Sequence, residues 1–124
     1  MIKKKVIDPH CLPCVMEAVE AIITNYHPDK IILFGPYQKG NISKRSEINL
    51  FVIKDSYLPR NERTTEILPF IPNGNVPVDI VVLTPVEFER GLLDRNCFLY
   101  TVIKESSVMY DKELGGEIVK AIKA

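Results

Sequence analysis

Val15, Ala18, Val19, Ile22 and Ile23 recur at the spacing of one face of an amphipathic helix. Pro13 suits the first turn of that helix, where a missing N–H costs nothing, and His27-Pro28-Asp29 stops it. Lys30 to Phe34 is a short apolar run, too short for a helix and rich in β-formers, so it reads as a buried strand ending at Gly35. Residues 36–46 are polar and form a loop, with one helical turn at its start. Glu47 to Ile53 alternates as a second strand, with Ile48, Leu50 and Val52 on one side and Glu47, Asn49 and Phe51 on the other. Asn61 to Leu68 predicts a short helix, and Pro72-Asn-Gly-Asn75 a turn. Val76 to Leu83 is the most strand-like run in the chain.

Thr84-Pro85-Val86-Glu87 has the capping-box arrangement and opens a helix. Cys97 to Lys104 reads as helical and Ser107 to Tyr110 as a fourth strand, after which Asp111 or a neighbour caps a last helix. The order predicts an α/β (α+β) fold: a small mixed β-sheet of four strands with helices packed against it. The 124 residues read as one domain, 1–124, with 1–8 as a flexible N-terminal tail.

Composition removes several classes of function. Sixteen Lys and Arg balance sixteen Asp and Glu, so the overall basic field of a general nucleic-acid binder is lacking. No apolar run approaches the roughly 18–20 residues of a membrane span, and no secretory signal pattern follows the basic start. Three Cys argue against a disulfide framework and for the cytoplasm. Lys39, Lys44 and Arg45 share one loop without an acid among them, either as a solvated surface or as a patch for a polyanion such as a triphosphate.

Acids are rare in buried strands unless they have a task or a partner. Glu47 and Asn49 share a face about 7 Å apart, and Asp79 interrupts the strand Val76–Leu83. On neighbouring strands these three would converge as hard oxygen ligands for Mg²⁺. The competing reading leaves Glu47 exposed at a strand end and Asp79 satisfied by backbone N–H groups or a lysine. His10-Cys11-Leu12-Pro13-Cys14 has a Cys-x-x-Cys spacing but no preceding strand for a redox motif. A zinc site would need two more ligands from Cys97, His10 and His27. The plainer reading is two small residues leading into the first helix.

The run Ile31-Ile-Leu-Phe-Gly-Pro-Tyr-Gln-Lys-Gly-Asn-Ile-Ser-Lys-Arg-Ser-Glu-Ile-Asn-Leu-Phe-Val-Ile53, with Asp79 in Val-Pro-Val-Asp-Ile-Val-Val-Leu-Thr-Pro, resembles the signature of the minimal nucleotidyltransferases. These belong to the DNA polymerase β-like superfamily. The family pattern is an apolar strand, Gly-Ser, about ten residues, Asp-x-Asp on a second strand and a third Asp on a later one. Ile103-Lys-Glu-Ser-Ser-Val-Met-Tyr110 is similar to the family's closing segment. The resemblance implies a nucleotidyltransferase-like fold. It implies catalytic positions at Glu47, Asn49 and Asp79, with Mg²⁺ on Glu47 and Asp79. It implies nucleotide contacts at Gly35, Pro36, Lys39 and Arg45; the Pro-rich stretch 69–77 reads by itself as a rigid connection, and the resemblance sets it near the acceptor side, where it would shape a partner surface.

This chain departs from that pattern at three positions. Pro36 replaces a serine and supplies neither hydroxyl nor N–H, although it fits the first residue of a helix. Glu47 is one methylene longer than the family aspartate. Asn49 carries no charge where the family has a carboxylate. Two carboxylates stand where three are expected. The resemblance therefore implies a domain with impaired catalysis that binds a helical protein partner encoded nearby, as in antitoxin-like pairs. The alternative is an active Mg²⁺-dependent enzyme that moves a nucleotide from an NTP to a protein or small-molecule hydroxyl. A self-associating structural homodimer is the third reading.

Overall fold

A computed structural model of the chain describes residues 12–39, 46–72, 74, 76–95 and 97–114, without the side chains of Leu12, Gln38, Lys39 and Leu114. The expected tail 1–8, His10 and Cys11, the loop residues Lys44 and Arg45, parts of the turn at 72–75 and the expected last helix lie outside the described residues.

Helix α1 spans Leu12–Tyr26 and is followed by β1, Lys30–Phe34, and the single turn α2, Pro36–Lys39. Strand β2 spans Ile48–Ile53. An excursion follows, with α3 at Arg60–Arg63 and 3-10 turns at Thr64–Glu66 and Leu68–Phe70. Strand β3 is Val78–Leu83, α4 Pro85–Leu93, α5 Phe98–Ile103 and β4 Ser107–Asp111, ending in a 3-10 turn at Lys112–Leu114. The strands form one sheet in the order β3-β2-β1-β4. β1 is antiparallel to both β2 and β4, and β2 is parallel to β3.

Both faces of the sheet are covered, which explains why β1 reads as an uninterrupted apolar run. Val15, Ala18, Val19, Ile22 and Tyr26 of α1 pack with Ile31, Leu33, Leu50, Val52, Ile80 and Val82 on one face. The residues between them, Ile32, Phe34, Phe51, Ile53 and Leu83, pack with Phe88 of α4 and with Leu99 and Ile103 of α5 on the other. The period-two alternation expected of β2 therefore divides two cores rather than a core from water. Ile31 pairs with Tyr110 and Ile32 with Val108, so Met109 is an extra residue in β4. Met109 and Tyr110 consequently both enter the α1-side core.

Element ends follow local chemistry. His27 sits at φ 54° just past α1, in the left-handed region that ends helices. Thr84 accepts from the Glu87 N–H at 3.2 Å and Glu87 accepts from the Thr84 N–H at 2.9 Å, which is the expected reciprocal cap. Two expected boundaries move. β2 begins at Ile48 rather than Glu47, and β3 at Val78 rather than Val76. The cause is Pro77, which has no N–H for the ladder but accepts from the Ile48 N–H at 2.9 Å, so pairing starts there. The expected helix over 61–68 is one α turn and two 3-10 turns, because Thr64, Thr65 and Pro69 interrupt it.

Candidate functional site

β2 runs against β1 and along β3, so the end of β1 and the beginnings of β2 and β3 meet at one end of the sheet. Phe34 pairs with Asn49, and Asn49 with Asp79. They form a row on the α4–α5 side, with neighbouring strands about 4.8 Å apart. Further along, that face is filled by Phe51, Val81 and Leu83. The polar pair stands where the face runs out towards solvent: Asp79 is exposed and Asn49 half-buried. Neighbouring β2 and β3 thus bring Asn49 and Asp79 together, while Glu47 lies exposed just before β2.

Gly35 closes β1 with φ +83°, a conformation that disfavours any L side chain. A Cβ there would stand 2.6 Å from Asn49 Nδ2. The glycine is thus demanded by its backbone, and a Cβ there would also push the Asn49 amide aside. Asn49 Nδ2 also donates to the Glu47 main-chain oxygen at 3.3 Å. The amide fastens onto the main chain at the entry of β2, beside the exit of β1, and a carboxylate has no proton to make that bond.

Pro36 opens α2 as its first residue, and Tyr37 behind it is buried. The backbone of Lys39 ends α2, whereas Arg45 lies outside the described residues. Among the described residues no three His, Cys, Asp or Glu side chains are grouped as metal ligands. Cys14, within α1, and Cys97, before α5, are free thiols. Tyr110 is a core residue, and Tyr100 is half-buried under the Lys104 ammonium. Two surface hollows stand out, one of about 240 Å³ beside Cys14, Ile48 and Val78, and one of about 540 Å³ beside Lys30, Phe88 and Asp111. Neither is lined by Gly35, Asn49 or Asp79.

The sequence reading missed two features. Phe34 stacks on Phe51 with ring centroids 4.2 Å apart, and Phe98 meets Phe34 edge-on at 6.3 Å while remaining 65% exposed. The row of candidate residues therefore ends on an aromatic rim, which no periodicity announces. The second is Arg63, 6% exposed at the C-terminal side of β3. Its guanidinium donates to the Leu58 and Val82 carbonyls and grips both oxygens of Glu87, at 2.6 and 3.3 Å. The hydrogen bond from Arg63, partly offset by burial and helped by the Thr84 N–H, holds the Glu87 carboxyl down to about 2. Glu87 was visible as a cap; nothing in the sequence paired it with Arg63.

No protein-family model matches the chain, and no curated protein does. Among solved structures it is similar to a crystal structure from Sulfolobus solfataricus whose protein is provisionally assigned as a nucleotidyltransferase. The TM-score is 0.60 at 20% identity, covering 89% of this chain and 88% of that one. A likeness at that identity is one of fold: the chain has a nucleotidyltransferase-like fold. Among the described residues no helix is long and apolar enough to cross a membrane.

Proposed function

We propose that this chain is a nucleotidyltransferase-fold module with impaired catalysis that acts by binding a protein partner. One observation carries the reading: Asn49 is a structural donor. Its nitrogen is committed to the Glu47 carbonyl and stands over Gly35. A two-metal site clamps the attacking and leaving oxygens between cations held by fixed carboxylates. At this end of the sheet the described strand residues carry one carboxylate, Asp79, beside a neutral amide, and Glu47 precedes the strand. That donor set does not fit two Mg²⁺ ions. Pro36 offers no N–H to a phosphate at the turn after Gly35.

Pyrophosphate release from each NTP, with Mg²⁺, separates this reading from an active transferase. The module reading expects wild type and Asp79→Asn to give the same background rate. A wild-type rate that Asp79→Asn abolishes would establish transfer chemistry at this site and overturn it. The partner half of the proposal is tested by coexpression with the product of the adjacent reading frame, where a stable complex is expected and two separately eluting proteins would refute it.

A further inference from the structure

We propose that the larger hollow, at the far end of the sheet, is the docking site of this chain's own segment 117–124. The hollow holds about 540 Å³ and lies beside the start of β1, the end of β2 and α4. Ile53, Phe88 and Leu92 give it an apolar floor. The carboxylates of Asp29, Glu89, Asp111 and Glu113 stand on it against two ammonium groups. Those two, from Lys30 and Lys112, pair with Asp111 and Asp29 at 4.0 and 3.9 Å. Glu89 and Glu113 are thereby left without a basic partner among the described residues.

An occupant that fits this hollow is amphipathic and cationic, and the chain supplies one at the rim. The described residues end at Leu114, one position after Glu113. Asp111 Oδ1 accepts from the Glu113 N–H at 3.0 Å, as a helix cap does, and the chain leaves through the 3-10 turn Lys112–Leu114. Gly115 and Gly116 come next; together they reach about 7 Å and permit a reversal of direction. Ile118, Val119 and Ile122 then recur at the spacing of one helical face, with Lys120 and Lys123 against a single acid, Glu117. A helix over these eight residues would be about 12 Å long. Its two lysines match the two carboxylates left unpaired, and its apolar face matches the floor. A tether this short gives an effective concentration on the order of millimolar, so even a weak contact is occupied. Ile53 and Asn49 lie towards opposite ends of β2, so the docked segment leaves the Asn49–Asp79 end open.

The test is carbodiimide cross-linking of the full chain, which joins lysines to carboxylates already in contact, read by peptide mass spectrometry. Lys120 and Lys123 are expected to link to Glu89 and Asp29, both distant from them in sequence. An equal mixture of unlabelled and nitrogen-15 protein is expected to give links only within chains of one label. Ile118→Asp combined with Ile122→Asp puts charge on the apolar face and is expected to reduce the links about tenfold, since two isoleucine contacts are lost. Glu89→Lys reverses one exposed rim charge and is expected to reduce the links to Asp29 without changing the melting point. Links between labelled and unlabelled chains would give the hollow to a second copy and overturn the proposal. Links that survive both variants would mark chance contacts of a tethered segment and overturn it as well. So would a folded wild-type chain in which neither Lys120 nor Lys123 links to Glu89 or Asp29.

Discussion

Replacing Asn49 by aspartate restores the charge that the family pattern expects at this position, and the geometry here says that it destabilises the domain. Asn49 Nδ2 donates to the Glu47 carbonyl at 3.3 Å. In Asn49→Asp an oxygen takes that place and faces another oxygen. The lost hydrogen bond is exposed, so it costs about 0.5–1 kcal/mol, with water taking up the freed carbonyl. Asp79 is directly across the ladder. Two like charges about 5 Å apart in a water-exposed setting repel by roughly 0.8 kcal/mol. The sum is about 1–2 kcal/mol, or roughly 4–8 °C in Tm for a chain of this size. Thermal unfolding without divalent cations, at neutral pH, measures it. Protonating the introduced carboxyl at low pH returns a donor and is expected to recover part of the loss relative to wild type. A variant as stable as wild type at neutral pH without Mg²⁺ would refute the structural role assigned to Asn49.

Further outcomes follow from the same contacts. Gly35→Ala is expected to lose about 1–2 kcal/mol, mainly from positive φ, with a smaller share from overlap with the Asn49 amide. Combining it with Asn49→Ala should recover only the overlap share in a double-mutant cycle. Thr84→Ala removes one half of the α4 cap and is expected to cost about 1 kcal/mol in urea unfolding. Glu87 has a carboxyl held down to about 2 by Arg63, well below its unfolded value. Its contribution is therefore complete above the unfolded carboxylate range and is lost as pH falls through about 2. Stability profiles of wild type and Glu87→Gln should accordingly converge towards low pH and separate by roughly 2 kcal/mol above pH ~5, a separation limited by solvent screening. Parallel profiles across that range would show that the carboxylate contributes nothing.

Much of the architecture was legible because it rests on local patterns. The stripe of α1, the apolar run of β1 and the Thr84–Glu87 cap each depend on residues close in sequence, and each stands where the pattern puts it. Asn49 and Asp79 were legible as polar interruptions in apolar strands, and their pairing needed only β2 and β3 to be neighbours. Pro77 moved two strand starts because its missing donor matters only once a partner strand is known. Arg63 was hidden for a similar reason. It is separated from Glu87 by 24 residues, and only the parallel return of β3 joins them. The contact between Gly35 and Asn49 likewise spans a loop, so the sequence displayed both residues without their relation. That relation turned a missing carboxylate into an amide with a task of its own.

Calorimetric titration of the wild-type chain with Mg²⁺·ATP tests the central claim most directly. A domain whose β2 position is a structural amide is expected to give no saturable heat up to millimolar nucleotide. Saturable, Mg²⁺-dependent binding that Asp79→Asn removes would contradict the account and return the site to nucleotide chemistry.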